Sequence, residues 1–229
     1  MKKAIIFDLF GTLINVYEKE VYNNLIKEMS NSLDIDFHDF YKYWNEETYD
    51  DRMKGKYKNN YENIEWIFKK IKREINEKQI KKAVEIRKNF TLKSLRLYRE
   101  NLMEVLENVK RRGYKIGLIT DCSPDVPELW EKLDYSKYFD EVIFSCDVKL
   151  KKPEEKIYNL MLEKLNEKAE SCYYVGDGGS YELTGAKKVG MHPILIKSLS
   201  DEKKDVYKKY LDDFNGDRIY SLKELEKYL

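Results

Sequence analysis

The sequence predicts an α/β fold: a doubly wound, parallel-sheet core interrupted after its first strand by an all-helical insertion. Three observations predict it. Short apolar runs of strand length occur at 3–8, 115–120, 141–145, 172–176 and 193–197. Helical patterns, at about 101–112, 125–133, 154–168 and 180–189, alternate with the last four of these runs. Residues 15–92 hold no Pro and only one Gly, Gly55, and are rich in Lys, Glu, Asn and Tyr. Strands alternating with helices pack as a parallel sheet between helical layers.

The first run, KAIIFD, ends in Asp8 and is followed by Gly11-Thr12, which marks a buried strand with a polar loop at its carboxyl end. In the insertion, Val21, Leu25, Met29 and Leu33, then Ile64, Ile67, Phe68 and Ile71, recur at helical spacing, and nothing reads as a central strand. KIGLIT, EVIFS, CYYVG and PILIK supply the remaining core strands. An edge strand is expected near 218–222, followed by a short helix over KELEKYL. The expected division is a core of 1–14 and 93–229 with a helical unit of 15–92. Ligands of such sheets bind beyond the carboxyl ends of the strands. Asp8, Thr120 and Asp177 all fall at or just past those ends.

The chain has 229 residues, 42% of them hydrophobic, with 19 Tyr and 9 Phe, enough for a substantial core without disulfides. Its 43 basic and 42 acidic residues leave a net charge of +1, so neither nucleic acid nor a membrane surface is an expected partner, and any anion needs a local site. Cys122, Cys146 and Cys172 are odd in number, far apart in sequence and without metal-ligand spacing, which reads as reduced thiols. The first apolar run is cut by Asp8, too early for a signal peptide or a membrane span. A cytoplasmic setting is expected.

Four motifs carry chemistry. In Asp8-Leu9-Phe10-Gly11-Thr12-Leu13 a carboxylate stands at a strand end before a tight loop whose amides can face an anion. Taken alone, this is also a common strand-to-turn ending. Thr120, followed by Asp121, offers a hydroxyl and an amide to a phosphate oxygen, or simply caps a strand–helix loop. Lys152-Pro153 reads as a helix start, with Pro in the first turn and the lysine beside the N-terminus, although most lysines of such a chain are solvated surface. Val175-Gly176-Asp177-Gly178-Gly179 then places Glu182 five residues after Asp177. Two acids around a glycine loop suit a hard divalent cation, or an N-cap and a first-turn acid.

Together and in this order, over residues 3 to about 197, the four motifs resemble the haloacid dehalogenase-like hydrolases, mostly phosphatases with a Rossmann-like core. The insertion resembles their helical cap of the first type. The resemblance implies that Asp8 attacks phosphorus to form an aspartyl-phosphate, with Thr120 and Lys152 holding the transferring oxygens. It implies Mg²⁺ held by Asp8, the carbonyl of Phe10 and Asp177, with Glu182 nearby or acting through water. Gly11, Thr12, Asp121 and Tyr17 are expected at the substrate, a small phosphorylated molecule.

One departure matters most. Phosphatases of this family usually carry a second Asp two positions after the nucleophile, and here that position is Phe10. A phenyl ring shuttles no proton, and general acid–base catalysis contributes roughly 10²–10⁴-fold. Three functions compete: a phosphatase for good leaving groups such as acyl phosphates or anhydrides, or one whose cap or substrate supplies the acid; a 2-haloalkanoate dehalogenase; or a catalytically weak binding or regulatory module. An aromatic residue at this position is typical of the dehalogenases, but those need no metal and generally have Ser where this chain has Asp177. The retained Asp177 favours the metal-dependent phosphatase. Asp121 stands where Asn is frequent, so its carboxylate is expected to point away or to bind a backbone amide. Gly178-Gly179 stands where Ser is frequent.

Substrate choice is expected from the helical unit, with Tyr17 and the segment Arg52–Tyr57 as candidates to reach the site, against the plainer reading of charged surface. Trp44 and Trp66 read as helix-packing residues. His192 reads as a loop residue before a strand, and neither it nor His38 matches a motif.

Overall fold

The computed structural model describes residues 2–15, 17–198 and 211–229; the part of the expected core at 199–210 lies outside the described residues. Strand β1 (Ala4–Phe7) is buried on both faces. Its alternating side chains feed two separate clusters, Ala4 and Ile6 into one, Ile5 and Phe7 into the other. That is why the run is continuously apolar rather than alternating.

Five helices follow β1: α1 (Lys19–Leu33), α2 (Phe37–Tyr41), α3 (Tyr49–Met53), α4 (Asn60–Lys70) and α5 (Glu77–Leu95), with a π-helical stretch at Lys42–Glu47. Leu25, Met29, Phe40, Trp44, Ile64, Phe68 and Ile80 form their own apolar centre. The alternation then begins: α6 (Leu102–Arg111), β2 (Lys115–Thr120), α7 (Asp125–Trp130), β3 (Glu141–Phe144), α8 (Ser145–Val148), α9 (Glu155–Leu165), β4 (Cys172–Gly176), α10 (Glu182–Lys188), β5 (His192–Ile196) and β6 (Arg218–Ile219). The strand order is β3-β2-β1-β4-β5-β6, and every pairing is parallel. β1 therefore lies between β2 and β4, where the winding reverses and a crevice opens at the carboxyl ends. Among the described residues no helix is long and apolar enough to cross a membrane.

Several expectations need correction. α5 crosses the expected 92/93 division and runs to Leu95, its buried stripe passing from Ile80 and Ala83 to Leu95 without a breaker. Pro153 is not in the first turn of a helix: α9 starts at Glu155, and Lys152-Pro153 lies in the turn before it. The last strand is only two residues long, and KELEKY winds as a 3₁₀ helix. His192 opens β5 rather than preceding it. Cys122 and Cys146, distant in sequence, bring their sulfurs to 3.9 Å.

Candidate active site

Asp8 follows the last residue of β1, Asp177 the last residue of β4, and Glu182 opens α10. Lys152 reaches them from the turn before α9. Its Nζ lies 2.5 Å from Asp8 Oδ1 and 2.5 Å from Glu182 Oε2. Thr12 Oγ1 donates to Asp8 Oδ2 at 3.1 Å. Glu182 also accepts from Tyr174 Oη at 2.9 Å and from the Gly178 amide at 3.1 Å, and Asp177 accepts from the Gly179 amide at 2.9 Å. Two glycines permit this. Gly178 holds φ +85°, a left-handed turn that aims its amide back at Glu182. A Cβ on Gly176 would stand 2.3 Å from Glu182 Oε1.

All four charged side chains are buried: Asp8 is 4% exposed, Lys152 3%, Asp177 7% and Glu182 0%. Burial pushes the carboxyl of Asp8 above its usual range, with Lys152 opposing and Asp177 adding to the rise. Burial and the nearby Asp8 push Glu182 up to about 8. Lys152 is held well above its ordinary value; burial opposes its charge, but Asp8, Glu182 and Asp121 outweigh it. Three carboxyl groups crowd around one ammonium in this buried cluster. One ligand atom from each of Asp8, Asp177 and Glu182 falls within 4.8 Å of the others. Clustered carboxylate oxygens of this kind fit a hard divalent cation. Because both oxygens of Glu182 already hold donors, its place is beside the cation or behind a water.

These groups form the floor of a cavity between the core and the helical unit. Of the expected substrate residues, Tyr17 and Asp121 line it, and Gly11 and Thr12 do not. The Gly11 amide is spent on Ile14 O at 2.8 Å, which corrects its expected role towards an anion. The Phe10 ring lines the wall, 5.6 Å from the ring of Tyr17. Thr120 is fully buried, and its Oγ1 has no hydrogen-bond partner among the described residues. Such an orphan hydroxyl is available to a group entering the cavity. Asp121 does not point away: Oδ1 accepts the Lys152 amide at 3.0 Å, the second of its two expected placements.

The roof comes from the helical unit. Arg52, 2% exposed, stacks at 4.0 Å over Trp44, and its Nη1 donates to Trp44 O at 3.0 Å and Asn63 Oδ1 at 2.9 Å. Its Nε has no partner and, among the described residues, no carboxylate pairs with it. Burial lowers its pKa to about 10, which still leaves it charged near neutrality.

Arg87 on α5 pairs with Asp125 on α7 at 3.1 Å, with both side chains buried. Ser123 donates to Asp125 Oδ1 at 2.5 Å, and Thr91 donates to Asp125 Oδ2. Nothing in the motif reading pointed to Arg87 or Asp125. A signal for Arg87 existed, since it falls on the apolar stripe Ile80, Ala83, Thr91, Leu95, where a charge has to find a partner.

Residues 2–190 match the family model for haloacid dehalogenase-like hydrolases. The glyceraldehyde 3-phosphate phosphatase of Methanocaldococcus jannaschii is 30% identical over 231 residues, covering 98% of this chain and 96% of that protein. Its Pyrococcus furiosus counterpart is 29% identical over 221 residues, covering 92% and 87%. The Drosophila melanogaster rhythmically expressed gene 2 protein is 31% identical over 126 residues, and the match spans under half of that protein, 47%. The crystal structure of a HAD phosphatase from Thermococcus onnurineus superposes with a TM-score of 0.62 at 25% identity, covering 99% of this chain and 97% of that one. The chain belongs to the haloacid dehalogenase-like hydrolases, and it is an enzyme of that family.

Proposed function

We propose that this hydrolase is a Mg²⁺-dependent phosphatase of a small phosphorylated metabolite, with Asp8 as nucleophile. The observation that carries the reading is the buried cluster of Asp8, Asp177 and Glu182 around Lys152 at the switch point of the sheet. Asp8, Asp177 and the Phe10 carbonyl would hold the cation, which supplies charge neutralisation at the transferring phosphoryl group. Lys152 supplies a second positive charge on the same group, and Thr120 Oγ1 binds one of its oxygens. The names of the two long relatives support a substrate of triose-phosphate size. The unpaired Nε of Arg52 suits a polar or anionic remote end of that substrate. Three unbridged cysteines fit a reducing, cytoplasmic setting.

Phe10 lends weight to a dehalogenase, but three clustered carboxylates exceed what carbon displacement by a single Asp requires. Phosphate release from a panel of esters, with Mg²⁺ and with EDTA, tests the proposal. Activity is expected only with the metal, and Asp8→Asn is expected to abolish it. Turnover persisting in EDTA rules out the metal-dependent reading, and chloride release from 2-chloropropionate without phosphatase activity selects the alternative.

A further inference from the structure

We propose that Asp121 supplies the proton that Phe10 cannot, as general acid to the leaving oxygen and then as general base to the attacking water. The inference rests on the phosphatase reading above. Asp121 follows Thr120 at the carboxyl end of β2, the strand beside β1, and lines the same cavity as Asp8. Its two oxygens are treated differently. Oδ1 is held by the Lys152 amide, whereas Oδ2 is buried with no hydrogen-bond partner among the described residues, although the Ser180 hydroxyl is close by. An ionised oxygen without a donor is costly to bury. A neutral carboxyl with its hydroxyl on Oδ2 instead has a proton to give to whatever fills the cavity. Burial accordingly raises this carboxyl above its usual range, against the opposing charges of Lys152 and Lys151.

The location suits the step. Asp8 attacks from the cavity floor, so an in-line leaving group departs towards the helical roof. Asp121 lies near that roof, close enough for its charge to perturb the phenol of Tyr49 on α3. The other proton carriers lining the cavity are poor acids. Burial pushes the phenols of Tyr17 and Tyr49 and the thiol of Cys122 upwards. Asp8, Asp177 and Glu182 are committed to the cation and Lys152. Asp121 is the lining carboxyl that remains.

Asp8 Oδ forms a bond to phosphorus while the bond from phosphorus to the leaving oxygen breaks, and that oxygen takes the electron pair and the proton of Asp121. The products are an alcohol, an aspartyl-phosphate and an Asp121 carboxylate. The carboxylate then takes a proton from water as the water oxygen bonds to phosphorus. Asp8 leaves with its electron pair, which restores both side chains and releases inorganic phosphate.

Asp121→Asn keeps an acceptor for the Lys152 amide but carries no acidic proton. Steady-state rates with Mg²⁺ on p-nitrophenyl phosphate and glycerol phosphate test the assignment, because kcat/KM reports only transfer to Asp8. We expect the variant to lose about 10²–10⁴-fold in kcat/KM on the alkyl ester and under about tenfold on the aryl ester, whose phenolate leaves unaided. We expect kcat to fall on both, since both share the second step. Equal losses in kcat/KM, or none on the alkyl ester, would overturn the role. Independently of any variant, a wild-type kcat/KM that falls as steeply with leaving-group basicity as the uncatalysed reaction also overturns it. Wild-type enzyme inactive on both esters would instead remove the phosphatase reading itself.

Discussion

Asp125→Asn is the sharpest probe of how the helical unit is held on the core. Asp125 is 3% exposed and takes hydrogen bonds from Arg87 Nε, Thr91 and Ser123. Burial alone would raise its carboxyl, but Arg87 and the two hydroxyls more than offset this and hold it below the usual carboxylate range. The amide keeps one acceptor and loses the charge, which strands the Arg87 guanidinium in an interface where it is 7% exposed. Removing one partner of a buried ion pair costs about 3–5 kcal/mol. For a chain of this length 1 kcal/mol shifts Tm by roughly 2–4 °C, so a loss of about 6–20 °C is expected at pH 7.

The sign follows from the depressed carboxyl. Its contribution is complete above the unfolded-state value of about 4 and is lost as pH falls through the lower folded-state value. The wild-type advantage over Asp125→Asn should therefore shrink below about pH 4 and stay constant above it. Urea melts of both proteins across this range are the assay. A difference under about 1 kcal/mol at pH 7 would refute the assignment of this pair as a buried clamp. So would a difference that persists undiminished in acid. Replacing Arg87 and Asp125 together by apolar residues should recover much of the loss.

Two further outcomes are expected. Arg52→Ala should raise KM by roughly tenfold to a hundredfold for substrates with an anionic remote group, the equivalent of one charge-assisted hydrogen bond of about 1.5–3 kcal/mol, while kcat changes little; initial-rate kinetics on substrates with and without that group check it. Gly55→Ala should cost about 1–3 kcal/mol for its left-handed backbone alone. It should also lift the helical unit, because the added Cβ would stand 1.8 Å from Cys146 O. Thermal melts and activity are expected to fall together.

The core strands and their alternation with helices are legible in the amino-acid pattern. Continuous apolar runs specify strands buried on both faces, and a β1 flanked by helices on both sides needs no other information than Ile5, Ile6 and Phe7. The four motifs were legible because each lies at a strand end or just before a helix, where local pattern and chemistry coincide. Which charges meet depends on the packing of segments far apart in the chain. Lys152 and Glu182 are 30 residues apart and Arg87 and Asp125 are 38 apart, and no short-range periodicity encodes such pairings. The same holds for Asp121, whose role turns on one oxygen held by the Lys152 amide and the other left unpaired. Burial and proximity set how tightly a proton or a cation is held, and both exist only once distant segments have packed together.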